Sequence, residues 1–284
     1  MNLIETRGLC YSYQGEKLAL DHLDTAIPEG SITAFLGGNG AGKSTYFLNL
    51  NGVLTPDEGT VLFRGEPVDY HKKGIAALRR KVGIVFQDPN DQLFSASVLK
   101  DVSYGAYNLK LPEDEVKRRV SLAVKQTGIE EYLHAPTHAL SFGQKKRVAI
   151  AGVLVMDPEV IILDEPTAGL DPSGVSEILN LMQKIKEENR VTFLIATHDI
   201  DLVPLYCDYA YVLDHGRVIL SGTPKEIFAQ KEILRQHHLR LPRISHLMEI
   251  LSQKDHLSVS PAASTISQAR RTIHEMLKEE KSKR

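Results

Sequence analysis

The densest chemistry in the sequence lies in nine consecutive residues, Gly37-Gly38-Asn39-Gly40-Ala41-Gly42-Lys43-Ser44-Thr45. They fit the pattern G-x-x-x-x-G-K-[ST], after an apolar run and at the start of a helical pattern, where such a loop has to sit. Glycines let backbone N–H groups close around phosphate oxygens, and the helix N-terminus adds the positive end of its dipole. Lys43 supplies a mobile charge for β- and γ-phosphates, and Ser44 a hydroxyl for Mg²⁺. A Gly-rich turn could match by chance, but the flanking strand and helix weigh against that. These residues predict a nucleotide site.

A second group complements it. The run Val160-Ile161-Ile162-Leu163 ends in Asp164-Glu165. A buried strand delivering two carboxylates offers one for Mg²⁺ and one to orient and deprotonate a water. Alone the signal is weak, since many strands end in Asp or Glu. Beside a phosphate loop it assigns Asp164 to the metal and Glu165 to the general base.

The elements that must position these residues are legible as runs. SITAFL (31–36), VGIVF (82–86), VIILD (160–164) and VTFLIA (191–196) are continuously apolar, the mark of strands covered on both faces. Alternation with helical patterns predicts an α/β fold built on a mostly parallel sheet. Ligands in such folds bind past the carboxyl ends of the strands. There the sequence has Gly37, Gln87, Glu165 and Thr197-His198. Between about 95 and 156 the pattern is helical. Val116, Val120, Ala123 and Val124 share one face, and a second helix starts at Ser141 and stops before Asp157-Pro158. This predicts a helical subdomain inserted in the core.

Composition excludes other classes. The chain has 284 residues, 42% of them hydrophobic and 25% charged, with a net charge of −2, which argues against disorder and against a nucleic-acid partner. Two distant cysteines, Cys10 and Cys207, make neither a disulfide framework nor a zinc pattern. No apolar stretch approaches the ~20 residues of a membrane span, and Glu5 and Arg7 sit where a secretion signal would be apolar. The sequence reads as a soluble, cytoplasmic chain that reaches a membrane only through a partner. From residue 224 onward 12 Lys/Arg face 7 Asp/Glu, and Pro242 and Pro261 interrupt the pattern, as in a small helical extension with a solvated basic face. Five histidines lie there, at 237, 238, 246, 256 and 274, without two-turn ligand spacing. His134 and His138 read as solvent-facing.

Leu140-Ser141-Phe142-Gly143-Gln144 resembles the LSGGQ signature of the ATP-binding-cassette (ABC) ATPases. The other parts follow in the family's order: Gln87 at a strand end, Ala168-Gly169-Leu170-Asp171 after the acidic pair, and His198 past the next strand. The resemblance covers about residues 2–223. It implies the ABC cassette fold, with a mostly parallel sheet, an antiparallel β part and the helical insert at about 95–156, followed by the extension at 224–284. It implies ATP and Mg²⁺ as ligands and a second cassette, a second copy or a paralogue, docked head to tail, each ATP lying between the phosphate loop of one chain and the signature of the other. Tyr13 would then stack on adenine, though Tyr11 is close enough to compete. Gly37, Asn39, Gly40, Ala41, Gly42, Lys43, Ser44 and Thr45 would hold the phosphates. Ser141, Gly143 and Gln144 would reach the γ-phosphate in trans, and Asp171 would report between the two sites. His198 would contact the γ-phosphate and hold Glu165 and water. Gln87 would join Ser44 and Asp164 on Mg²⁺ and couple the site to a membrane partner. One departure is Phe142, where the family has glycine; Ser141 and Gly143 are kept.

The wording around Gln87, FQDPNDQLFSASVLKDVSYG, around the signature, ALSFGQKKRVAIAGVLVMDPEVIILDEPTAGLDP, and in the tail, LRLPRISHLMEIL, is similar to energy-coupling-factor importers, most of all the cobalt/nickel type. That resemblance implies an ATPase at the cytoplasmic face of the cell membrane, energising a membrane-embedded coupling protein and a substrate-capture protein. The rivals are the ATPase of a vitamin-type coupling-factor or other ABC importer, and, more distantly, a soluble ABC ATPase outside transport. The last kind carries long coiled coils, basic arms or two cassettes in one chain, none of which this sequence has.

Overall fold

The structure, a computed structural model, describes residues 1–15 and 17–282, with side chains up to position 278. The chain opens with β1 (Asn2–Ser12) and β2 (Leu18–Pro28), paired antiparallel, and then enters β3 (Ile32–Leu36), all five residues of which are buried. The glycine loop follows and opens α1 (Lys43–Leu50). β4 (Glu58–Phe63) and the two-residue β5 (Glu66–Pro67) return to the first sheet, in the order β2-β1-β4-β5. After α2 (Lys72–Lys81), β6 (Val82–Val85) joins the second sheet.

The inserted helices come next: α3 (Val98–Asn108), α4 (Glu113–Thr127) and α5 (Phe142–Leu154). Val116, Val120, Ala123 and Val124 of α4 are buried, as their spacing predicts. α5 begins as Ser141 foretells. The Ser141 hydroxyl accepts the Gln144 N–H at 3.3 Å, and the Gln144 side-chain oxygen accepts the Ser141 N–H at 2.8 Å, a reciprocal cap. The helix ends at Leu154, two residues short of the apolar run, since Asp157 takes a positive φ of 60° and Pro158 follows.

β7 (Val160–Asp164), α6 (Pro172–Asn189), β8 (Thr192–Ala196), the short α7 (Val203–Tyr206), β9 (Tyr209–Asp214) and β10 (Arg217–Gly222) complete the second sheet, in the order β10-β9-β3-β8-β7-β6. All neighbours from β9 to β6 run parallel; only β10 is antiparallel. Asp164 pairs with Ala196, and Ala196 with Phe35, so the ends of β7, β8 and β3 reach one edge together. α8 (Pro224–Ala229), α9 (Lys231–Gln236), α10 (Arg243–Gln253) and α11 (Ile266–Ser282) follow. Ile227, Phe228, Leu234 and Leu241 belong to the main core, whereas Met248, Val259, Ala263, Ala269 and Met276 form a small core of their own.

The two sheets close over an aromatic cluster that supports the glycine loop from below. Phe35 stacks on Tyr211 with centroids 5.3 Å apart, and lies 4.9 Å from Tyr46 and 5.3 Å from Phe47 of α1. The Tyr211 hydroxyl crosses between sheets, donating to the Ala26 carbonyl at 2.9 Å and lying 2.8 Å from the Ala26 N–H. Removing it orphans groups on β2, a loss of about 1–3 kcal/mol. Tyr211→Phe should therefore lower the urea midpoint at unchanged slope. An unmoved midpoint would show that the hydroxyl does not tie the sheets together.

Candidate active site

The glycine loop lies between β3 and α1, and its backbone is close-fitted. At Gly42, φ is 104°, and a Cβ would stand 2.7 Å from the Ala19 carbonyl oxygen, so no other residue fits without movement. The Gly216 N–H donates to the Ala41 carbonyl at 3.0 Å and braces the loop from the β9–β10 turn. Gly38, Asn39 and Gly40 are exposed, while Gly37 and Ala41 are buried.

Lys43 is buried and has no carboxylate bonded to it; its Nζ donates to the loop's own carbonyls, Gly37 at 2.8 Å and Gly38 at 3.1 Å. Burial pulls its ammonium below the ordinary lysine range, opposed by the charges of Glu165 and Asp164. A phosphate arriving at the loop would be a stronger acceptor than these carbonyls. The Ser44 hydroxyl donates to Asp164 Oδ2 at 2.7 Å, although 120 residues separate them. Gln87 is exposed, just past β6, and lines a cavity of about 570 Å³ with Asp164, Phe142 and Gly169. Ser44, Asp164 and Gln87 thus offer neutral and anionic oxygens beside the phosphate loop, the donor set a Mg²⁺ ion takes.

Glu165 is 7% exposed and holds a positive φ of 47°, a conformation that costs a non-glycine residue about 1–3 kcal/mol. Its Oε2 accepts the His198 N–H at 3.2 Å. His198 Nε2 lies 3.1 Å from Oε1 but off the hydrogen-bond direction, so that buried oxygen has no hydrogen-bond partner. Burial raises the Glu165 carboxyl above its ordinary range, against the opposing pull of His198 and Lys43. A buried carboxylate with an unfilled acceptor, on the edge that bears the phosphate loop, suits accepting a proton from water.

Tyr13 lies just past β1, 49% exposed, its hydroxyl 3.2 Å from Thr45 Oγ1. Tyr11 meets it edge-on with centroids 5.0 Å apart and packs against the aromatic core, so Tyr13 is the ring with a free face beside the loop.

The signature residues form another grouping. Ser141, Gly143, Gln144 and Asp171 line a second cavity of about 630 Å³, which shares Gly169 with the first. Asp171 caps α6, its Oδ1 accepting the Gly174 N–H at 2.9 Å. The Phe142 ring packs onto Gly169, where a Cβ would come within 2.9 Å of it. Its bulk is taken up inside the chain. His134 and His138 are exposed. Among the described residues no metal-ligating cluster falls in the tail; His237 Nδ1 instead pairs with Asp214 at 2.8 Å.

Sequence reasoning missed Lys146, which is 2% exposed and donates from Nζ to the Glu165 carbonyl at 2.8 Å. The signal was available: Ala149, Ile150 and Val153 follow at helical spacing, which puts the lysine on the buried face. It also missed Lys145, which ties α5 to Asn90 of the Gln87 segment at 2.8 Å.

Comparison with known proteins places the chain in a family. The ABC transporter family model matches residues 20–168. The energy-coupling factor transporter ATP-binding protein EcfA2 of Clostridium perfringens is 58% identical over 272 residues, 96% of this chain and 95% of its own length. The solved structure of cbiO1 from Clostridium perfringens, part of the ABC transporter complex cbiONQ, aligns with TM-score 0.77 at 60% identity over 88% of this chain and 99% of its own. A dimeric cassette, MJ0796, in a post-hydrolysis state with ADP and Pi, aligns with TM-score 0.70 at 27% identity over 78% of this chain and 98% of its own. The P-loop cassette fold, the antiparallel part and the inserted helices are as the resemblance implied. The chain belongs to the ABC transporter family, as an ATP-hydrolysing subunit of the energy-coupling factor kind.

Proposed function

We propose that the chain, as one of two head-to-tail cassettes, drives import of a divalent transition metal, cobalt or nickel, through an energy-coupling-factor transporter. The observation that carries the catalytic part is the buried, unfilled Glu165 Oε1 beside His198, on the same edge as Lys43. Lys43 leaves its own carbonyls for the β- and γ-phosphates, and the loop amides from Gly37 to Thr45 hold the remaining oxygens. Tyr13 stacks on adenine. Ser44, Gln87 and Asp164 hold Mg²⁺, which when bound offsets the negative charge of the phosphate oxygens. Glu165 takes the proton of the attacking water, and His198 keeps Glu165 and the γ-phosphate in register. Ser141, Gly143 and Gln144 cover the γ-phosphate of the facing chain, and Asp171 relays between sites.

That Ser141, Gly143 and Gln144 line a different cavity from Gln87 and Asp164, with only Phe142 of the signature reaching the latter, supports the two-chain site. Domain organisation follows as an ATPase body over 1–223, with the helical insert at about 95–156, and an extension over 224–284. No helix among the described residues is long and apolar enough to cross a membrane. We read the chain as peripheral, on the cytoplasmic face, docked on a membrane-embedded coupling protein that joins a substrate-capture protein. A cavity of about 420 Å³ between the sheet and the insert, lined by Phe86, Gln92, Phe94, Tyr104 and Met156, supports that docking site next to Gln87. The metal cargo is supported by the wording of the Gln87 segment, signature and tail, and by the likeness to cbiO1.

Glu165→Gln should cut ATP turnover about 100-fold or more and leave ATP affinity near wild type; unchanged turnover would remove Glu165 from the reaction. Lys43→Ala should weaken ATP binding about 10- to 100-fold, the worth of hydrogen bonds to a charged group. An unchanged affinity in equilibrium titration would contradict the phosphate-loop assignment. Because burial raises the Glu165 carboxyl, kcat/KM should fall on acidification at a higher pH than an ordinary glutamate would require. A profile flat down to the ordinary carboxylate range would contradict the base role. For the cargo, cells whose sole copy carries Glu165→Gln should lose uptake of labelled cobalt or nickel and keep vitamin uptake. The reverse pattern would assign the chain to a vitamin importer.

A further inference from the structure

Lys146 is a charged residue on the buried face of an apolar helix. Its ammonium has one hydrogen bond, to the Glu165 carbonyl, and the Phe142 ring one turn earlier lies 5.4 Å from Nζ. Asp88 past β6 and Asp164 and Glu165 at the end of β7 act on it through their charge alone. Burial pulls it down to about 8. A buried cation without a bonded carboxylate is costly to the fold, so its partner, a single carbonyl, repays attention.

That carbonyl belongs to the residue with the strained backbone. The Glu165 peptide is fixed at three points: its N–H donates to the Ala196 carbonyl at 3.1 Å, and its oxygen accepts from the Ala168 N–H at 3.1 Å and from Lys146. Two of these come from the neighbouring strand and the following turn. The third comes from α5, the helix whose first turn is the signature. Phe142 adds a second contact from that same turn, seated on Gly169 in the loop before Asp171. Thus α5 bears at its N-terminus the residues read above as covering the phosphate of the facing chain's site. One turn further on it touches the backbone of the general base in its own site.

We propose that Lys146 is a positioning residue for Glu165, making the placement of the base in one composite site depend on the pose of the signature helix that serves the other. The proposal rests on the ATPase reading above. Capture of a phosphate by Ser141 and Gly143 moves or steadies α5, and Lys146 passes that to the Glu165 peptide, whose side chain must aim Oε1 at water. Phe142 shields the ammonium from solvent, which gives the departure from glycine a use.

The test is steady-state ATP hydrolysis by the full-length chain in its assembled transporter, with Lys146→Met and Lys146→Gln compared against wild type and Glu165→Gln. Lys146→Met keeps the length and removes the donor. It should lower kcat at least tenfold while KM for ATP stays within about twofold, the pattern of an interaction needed only at the chemical step. Lys146→Gln keeps an N–H donor and should recover part of kcat, at a thermal midpoint no higher than that of Lys146→Met. The proposal is overturned by Lys146→Met turning over within twofold of wild type. It is equally overturned by both variants losing kcat alike, with KM rising and the midpoint falling, since that is loss of fold. Should Lys146→Met fail to fold, the kcat and KM of Lys146→Gln decide: a reduced kcat at unchanged KM supports the proposal, and unchanged kcat overturns it. A wild-type complex that does not hydrolyse ATP, or one insensitive to Glu165→Gln, would instead fault the ATPase reading itself.

Discussion

Unmatched charge buried at the carboxyl edge of the six-stranded sheet is the constraint on which the rest of the molecule depends. Lys43 and Glu165 are both withdrawn from water, and neither has a full set of partners: the lysine leans on its own loop's carbonyls, and one glutamate oxygen accepts no hydrogen bond. Burial costs such groups enough to shift their protonation, and both shift in the direction burial dictates. A fold keeps groups in that state only if surrounding structure holds them there. What they lack, an anion for the lysine and a proton source for the carboxylate, is what a nucleoside triphosphate and a water supply.

The scaffold can be read as the means of holding that edge. Buried strands bring Leu36, Glu165 and Thr197 to a common level, with Gly37 one residue beyond, since Asp164, Ala196 and Phe35 are in register. The Phe35, Tyr46, Phe47 and Tyr211 cluster packs β3 and β9 against α1, and the Tyr46 and Tyr211 hydroxyls tie it to Thr25 and Ala26 of the antiparallel sheet. On the other flank α5 reaches the site twice, through Lys146 and Phe142. Ser141, Gly143 and Gln144 at its N-terminus line a different cavity from Gln87 and Asp164, an arrangement that fits the proposed pairing with a second cassette.

Much of this was legible from residues. The four core strands are continuous apolar runs because both their faces are covered. α4 and α5 declare themselves by spacing and, for α5, by a serine cap with glutamine three residues on. The antiparallel sheet is harder to read. β1 pairs with both β2 and β4 through several register shifts, so its buried positions do not alternate and no period of two survives. Phe142 could not be placed from sequence, since the glycine that receives its ring is 27 residues away. Lys146 was hidden by the habit of reading lysine as solvent-exposed, even though its neighbours at three, four and seven residues mark an inward face. The tail's prolines announced its breaks, but not that Ile227, Phe228 and Leu234 pack into the main core.

On the proposed function, one chain carries two half-sites that ATP joins across a pair of cassettes. The most direct measurement is the mass of the particle by light scattering for the Glu165→Gln chain, with ATP and Mg²⁺ and again after exchange into ADP. Particles should hold two cassettes with ATP and revert to one with ADP. Single cassettes under ATP, together with wild-type protein that stays monomeric throughout rapid hydrolysis, would contradict it.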